Sequence, residues 1–321
     1  MNLNSKAIVI LCSHLCVGEN VKPYEPTEWA KFAERLKNVN IEPHEVLSFS
    51  NDDFKSKFDF GTDEISRINR LIERSGSIAF EVERYANIGV NIMTRADECY
   101  PKVLKQKLGK SCPPIFYYAG DPALAGKKCM GVVGSRNICA DDEMFTVKTV
   151  EKSSSEGLAI VSGGAKGVDS VAQAHAIETG NFCIEYISDS LIKKIKQKNI
   201  VGAVLGGRLL ILSVAKPDAG FFTGFAMMRN KYIYSQADYT VVVKSDYNKG
   251  GTWAGAVDNL KKPKSVTYCW NNPKYEGNMA LINKGAIPIN DEWDVDFSAY
   301  SINHDIAKPE AELEQLSLFA S

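Results

Sequence analysis

Three glycine-rich turns carry the residues best suited to chemistry. They are "VVGSRN", with Gly134, Ser135 and Arg136; "VSGGAKGVD", with Ser162, Gly163, Gly164 and Lys166; and "SDYNKGGTWAGA", with Lys249, Gly250, Gly251 and Thr252. Each follows a short apolar run and precedes a helical pattern. Such a turn aims the free N–H groups of a helix start at an anion, and Arg136 and Lys166 add positive charge. One turn alone is what any strand–helix junction needs for steric reasons. Three on one sheet edge, two of them with a cation, compose an anion cradle.

The candidate anions are a cofactor pyrophosphate, a phosphorylated metabolite and a nucleic-acid backbone. The first turn is not GxGxxG, since Arg136 occupies it, and no GxxxxGK[ST] loop occurs, so a dinucleotide fits poorly. No Ser/His/Asp or Cys/His set assembles, and His175 in "AQAHAI" reads as a packed or hydrogen-bonded residue, so no catalytic residue is assigned. Cys12, His14 and Cys16 lack a second half-site for a metal, and no CxxC pair exists. In "GFFTGFAMMRNKYIYSQADYTVVV", Arg229, Asn230 and Lys231 form either a solvated helix face or, with Arg229 turned inward, a third cation for the cradle. Tyr232, Tyr234 and Trp253 are core residues or surfaces for base stacking. The basic run with Lys193, Lys194, Lys196 and Lys198 reads as a solvated face, with a supplementary phosphate contact as the alternative.

The elements that must hold these turns are legible as pattern. Residues 27–85 read as helices: Thr27 is the expected N-cap, Trp29, Phe32, Ala33 and Leu36 share a face, and Ile65, Ile68, Leu71 and Ile72 repeat the stripe. A connector punctuated by Pro and Gly follows. From Cys129 short apolar strands alternate with helices, which predicts an α/β fold with a doubly wound, mostly parallel sheet. Ligands of such sheets bind beyond the carboxyl ends of the strands. The expected division is a mainly helical domain over 1–88, a connector over 89–128, the sheet domain over 129–298 and a flexible acidic tail over 299–321.

Bulk properties leave the choice of anion open. Lys+Arg 38 against Asp+Glu 39 gives a net charge of −1, so any nucleic-acid contact must come from a local patch. The apolar run over 7–12 is too short to span a bilayer, and a reducing cytoplasm is the expected compartment for the 8 scattered cysteines.

Several blocks, taken in order, carry a family resemblance. "YPKVLKQKLGKSCPPIFYYAGDPAL" leading into VGSR, "LAIVSGGAKGVDSVAQAHAIETG", "MMRNKYIYSQAD" and "GNMALINKGAIPI" together resemble the DNA-processing protein A (DprA/Smf) family over about residues 90–289. The resemblance implies an extended Rossmann-like domain preceded by a small helical domain. It also implies single-stranded DNA binding, homodimerisation and loading of a RecA-type recombinase, with no cofactor and no catalysis. Arg136 and Lys166 would then be the main phosphate contacts, lined by Ser135, Gly164 and Arg229. The third turn departs from the family's SGSL pattern, placing Trp253 where a smaller residue is usual. It is similar to the GGxGT loop of nucleotide hydrolases without their downstream acid, so a nucleotide- or metabolite-binding enzyme or sensor is the alternative.

About thirty residues follow Ile289, too few for the winged helix that many members carry. The acidic end closes on Gln315, Leu316, Ser317, Leu318 and Phe319, which resembles the QL[SD]LF peptide that docks on the replicative sliding clamp.

Overall fold

The computed structural model describes residues 1–18, 21–293, 295 and 297 of the chain. Five helices lead: α1 (Leu3–Cys12), α2 (Pro26–Asn38), α3 (Asn51–Phe58), α4 (Thr62–Glu73) and α5 (Ser75–Ala86). α2 begins before Thr27, with Pro26 at its first position and Glu25 as the cap. The Glu25 N–H donates to the Glu28 carboxylate, 2.9 Å away. Trp29, Phe32 and Leu36 are buried as their spacing predicts, and so are Ile65, Ile68 and Leu71 of α4. Arg74, between α4 and α5, is buried and donates to the Leu15, Ile10 and Leu71 carbonyls. One guanidinium thus pins three segments of the helical region.

The remaining elements are β1 (Asn91–Thr94), α6 (Lys102–Leu108), β2 (Ile115–Gly120), β3 (Cys129–Val133), α7 (Ala140–Ser155), β4 (Ala159–Ser162), α8 (Val168–Glu178) and β5 (Cys183–Tyr186). After them come α9 (Leu191–Ile195), α10 (Lys198–Leu205), β6 (Leu209–Ser213), α11 (Thr223–Gln236), β7 (Tyr239–Val242), α12 (Gly250–Lys261), β8 (Val266–Trp270), α13 (Glu276–Asn283) and β9 (Ile287–Ile289). The strands make one sheet in the order β1-β2-β6-β5-β4-β3-β7-β8-β9. Pairing is parallel from β6 through β9, while β2 runs antiparallel to both β1 and β6. This is the expected extended, doubly wound α/β fold. Residues 89–128, which sequence punctuation marks as a connector, supply β1 and β2 to that sheet.

Strand side chains alternate between two cores. Met130 and Val132 of β3 face a core shared with α7, α8, α10 and the N-terminal helices. Cys129 and Val133 face a second core built on α6, α11, α12 and α13. Tyr85 of α5 meets Tyr117 of β2 edge-on at 6.5 Å, so the helical region is continuous with the first core. No helix among the described residues is long and apolar enough to cross a membrane.

Candidate functional site: an anion cradle at the carboxyl edge of the sheet

β3, β4 and β7 are neighbouring parallel strands, so the turns that follow them share one edge. Backbone contacts tie the three together. The Val168 N–H donates to the Ser135 carbonyl at 3.2 Å, joining the second turn to the first. The Thr252 hydroxyl donates to the Gly134 carbonyl at 2.9 Å, joining the third to the first. Gly134 is required by close approach: a Cβ there would lie 2.4 Å from Val168 Cγ2. At Gly163 a Cβ would lie 1.5 Å from Arg229 Nη1, so the second turn lies directly on that guanidinium. Gly164 and Gly250 adopt φ of +64° and +78°.

The predicted site residues divide by what their polar atoms do. Arg136, Lys166 and Lys249 are exposed, and none has a carboxylate partner among the described residues. The other polar members are committed within the protein. Ser162 is buried and donates to the Val132 carbonyl. Ser135 Oγ accepts from the Asn137 N–H at 3.1 Å, bracing the turn. Asn230 donates to the Gly251 carbonyl at 3.0 Å, holding the third turn.

Arg229 does turn inward, with 8% of its surface exposed. It donates to the Gly163 carbonyl, and its Nη1 lies 3.3 Å from the Asp169 carboxylate. Burial pushes the Asp169 carboxyl up against the pull of Arg229. The pair is a clamp that shapes the second turn, and its positive charge is met inside the protein.

The aromatic residues divide differently from the stacking alternative. Tyr232, Tyr234 and Trp253 are buried core residues. Trp253 meets Tyr247 edge-on at 5.1 Å. The accessible rings are Phe221 and Phe222, 57% and 61% exposed, on the loop that enters α11. The Arg136 guanidinium lies 5.7 Å from the Phe221 ring centre. No motif singles out these two residues; the doublet "FF" inside a Gly-flanked loop is the signal the sequence offers.

The basic run is also less uniform than a solvated face. Lys193 and Lys194 line a cavity of about 600 Å³ together with Gly164 and Lys166 of the second turn. Lys194 folds in, 3.1 Å from the wholly buried Glu185, whose carboxyl is pushed up by burial against the pull of that lysine. Lys193 stays exposed in that cavity, whose lining also carries Glu143, Glu178 and Asp189. His175 sits 3.3 Å from Glu151, linking α8 to α7. A second ionic knot supports the edge: Asp142 accepts from Tyr275 at 2.5 Å and from Lys244 at 3.0 Å. Burial alone would raise the Asp142 carboxyl; Tyr275, the Cys139 N–H and Lys244 hold it below the usual range instead.

Comparison with known proteins places this geometry. The family model "DNA recombination-mediator protein A" matches residues 91–296. DNA processing protein DprA of Bacillus subtilis is 24% identical over 206 residues, covering 63% of this chain and 69% of that protein. The protein of the same name from Streptococcus pneumoniae is 28% identical over 155 residues, covering 48% of this chain and 54% of that one. Among solved structures, Streptococcus pneumoniae DNA processing protein A superposes with a TM-score of 0.67 at 20% identity, covering 89% of this chain and 94% of that chain. A structure of DNA processing protein A from Helicobacter pylori, solved to describe its single-stranded DNA binding mode, gives a TM-score of 0.52 at 22% identity, covering 63% and 90%. The ordered motifs and a family match spanning most of the chain agree: the chain belongs to the DNA recombination-mediator protein A family.

Proposed function

We propose that this protein binds single-stranded DNA through the cradle and acts as a non-enzymatic mediator in recombination, DNA uptake or defence against foreign DNA. One observation carries the reading. Three interlocked turns present Arg136, Lys166 and Lys249, none of them ion-paired to a carboxylate among the described residues, and the exposed Phe221 ring stands beside Arg136. Unpaired cations suit the evenly spaced phosphates of a strand, and an exposed ring suits a base splayed from it. The relative from Helicobacter pylori, named for its single-stranded DNA binding mode, supports the same ligand class.

A nucleotide-processing reading is weaker on chemistry. The Thr252 hydroxyl proton, which would be offered to a bound phosphate, is donated to the Gly134 carbonyl instead. Fluorescence anisotropy with labelled oligonucleotides tests the proposal beside a nucleotide panel. Salt-dependent strand binding should fall at least tenfold in Arg136→Ala and in Lys166→Ala. Unchanged affinity in both variants, or thermal stabilisation by nucleotides alone, overturns it.

Homodimerisation and recruitment of a RecA-type recombinase belong to this proposal as family expectations. Clamp docking through residues 315–319 lies outside the described residues and rests on the peptide alone. Deleting residues 315–321 should abolish capture by purified sliding clamp and leave DNA affinity unchanged; clamp capture by the truncated chain rejects the docking role.

A further inference from the structure

A second groove begins where the third turn ends. It runs between α11 and α12, encloses about 720 Å³, and follows α12 from Gly251 at the carboxyl edge of the sheet to Lys262 near the amino edge. At 1.5 Å rise per residue, the 12 residues of α12 extend it by about 18 Å. The cradle and the groove share residues. Gly251 belongs to the third turn and lines the groove, and Asn230, which holds the Gly251 carbonyl, lines it too.

The groove is strongly one-signed. Lys107, Lys231, Lys262 and Lys264 line it, against Asp258 as the one carboxylate among its described lining residues. Lys231 and Lys262 are exposed and have no carboxylate partner among the described residues. The ammonium groups of Lys107 and Lys264 donate to the Ala237 and Lys107 carbonyls at 2.8 and 2.6 Å, which positions their charge without cancelling it. Met227 and Met228 are 61% and 37% exposed at its mouth, offering polarisable apolar surface to a flat ring. On the opposite wall, Gly251, Ala254 and Gly255 let a chain approach the helix backbone. The side-chain hydroxyls of Tyr234 and Ser235, two further lining residues, are buried without a hydrogen-bond partner among the described residues.

We infer that this groove is the continuation track of the bound strand, so that a strand leaving the cradle past Gly251 runs down α12 over Lys231 and Lys262. The inference rests on the strand-binding reading of the cradle. Charge selects the occupant: a second copy of the chain, docked symmetrically, would bring lysines against lysines, whereas a polyanion meets complementary charge along the whole groove.

Strand length separates the two sites. Labelled six- and twenty-nucleotide thymidine oligomers should be titrated against the full chain and against Lys231→Glu/Lys262→Glu, with Lys231→Gln/Lys262→Gln as the milder pair. Both variants replace exposed side chains, and unchanged thermal unfolding verifies the fold. The wild-type chain should bind the longer oligomer at least tenfold more tightly. The Glu pair should lose that gain, keep six-nucleotide affinity within about twofold, and lower the salt slope for the longer strand by about 1.4, the value for two single-strand phosphates; the Gln pair should fall between. Equal wild-type affinity for both lengths, or loss of both lengths alike in the Glu pair, overturns the track and leaves the cradle standing. A Glu pair that binds the long strand normally but changes oligomeric state makes the groove a subunit interface and overturns the track as well. Failure of the wild-type chain to bind either length rejects the cradle reading itself.

Discussion

Thr252 donates its hydroxyl to the carbonyl of Gly134, 2.9 Å away, and so fastens the turn after β7 to the turn after β3 across the point where the strand order reverses. Thr252→Val keeps the shape and leaves the Gly134 carbonyl unpaired. The expected cost is about 1 kcal/mol of stability. Strand affinity should fall severalfold although the hydroxyl contacts no phosphate, and Thr252→Ser should restore both. Thermal unfolding and anisotropy, measured on the same preparations, check this.

Gly134 has no room for a methyl group. Gly134→Ala drives a Cβ to 2.4 Å from Val168 Cγ2, and overpacking of this kind costs about 1–3 kcal/mol. Adding Val168→Ala should recover part of the melting temperature. A double variant no more stable than Gly134→Ala would locate the strain elsewhere.

The Arg229–Asp169 clamp predicts an asymmetry. Asp169→Asn leaves a buried guanidinium with no carboxylate and should destabilise by about 3–5 kcal/mol. Replacing both partners, as Asp169→Leu/Arg229→Met, should cost less than the two single changes summed. The coupling from a double-mutant cycle measures this directly.

Phe221 is too exposed to matter for folding. Phe221→Ala should leave the melting temperature within about 1 °C and weaken strand binding by about 1–3 kcal/mol, the range for one stacked base, while Phe221→Tyr stays near wild type. An alanine variant with full affinity would remove the ring from the site.

Lys107 gives the fold a pH signature. Burial pushes its ammonium down to about 8 from 10.5, with Lys264 adding to the effect against the pull of Asp238. Between those two values the unfolded chain binds more protons than the folded one, so stability rises with pH across this window. Below about 8 the full penalty of a buried charge is present. Lys107→Met should therefore flatten the denaturation midpoint between pH 8 and 10.5 relative to wild type. An unchanged slope would mean that Lys107 titrates as a solvated amine.

Six of the nine strands are readable from continuous apolar runs such as "LAIVSG" and "LLILSV", because parallel strands buried on both faces need nothing else. β1 and β2 escape that logic. "NIMT" is short, and "IFYYAG" lies among prolines and glycines; β2 joins the sheet by pairing with β6 and β1 by pairing with β2, which no local pattern records. The turns of the cradle were equally legible, because glycine and cation at a strand end are local facts. What each polar atom does there was not. Ser162 spends its hydroxyl on Val132, Arg229 is neutralised by a carboxylate 60 positions away, and Lys194 dives toward Glu185. Spacing reports which element a residue rides on, whereas charge balance is settled by neighbours far along the chain.

The antiparallel seam between β2 and β6 has a consequence for how the chain is made. Tyr118 sits opposite Leu212, so the first two strands leave the ribosome roughly ninety residues before the strand that completes them. Until then one edge of β2, with Phe116 and Tyr117 on it, has no partner strand. A product truncated before β6 would carry an open, aromatic sheet edge, the kind of template on which nascent chains associate with one another.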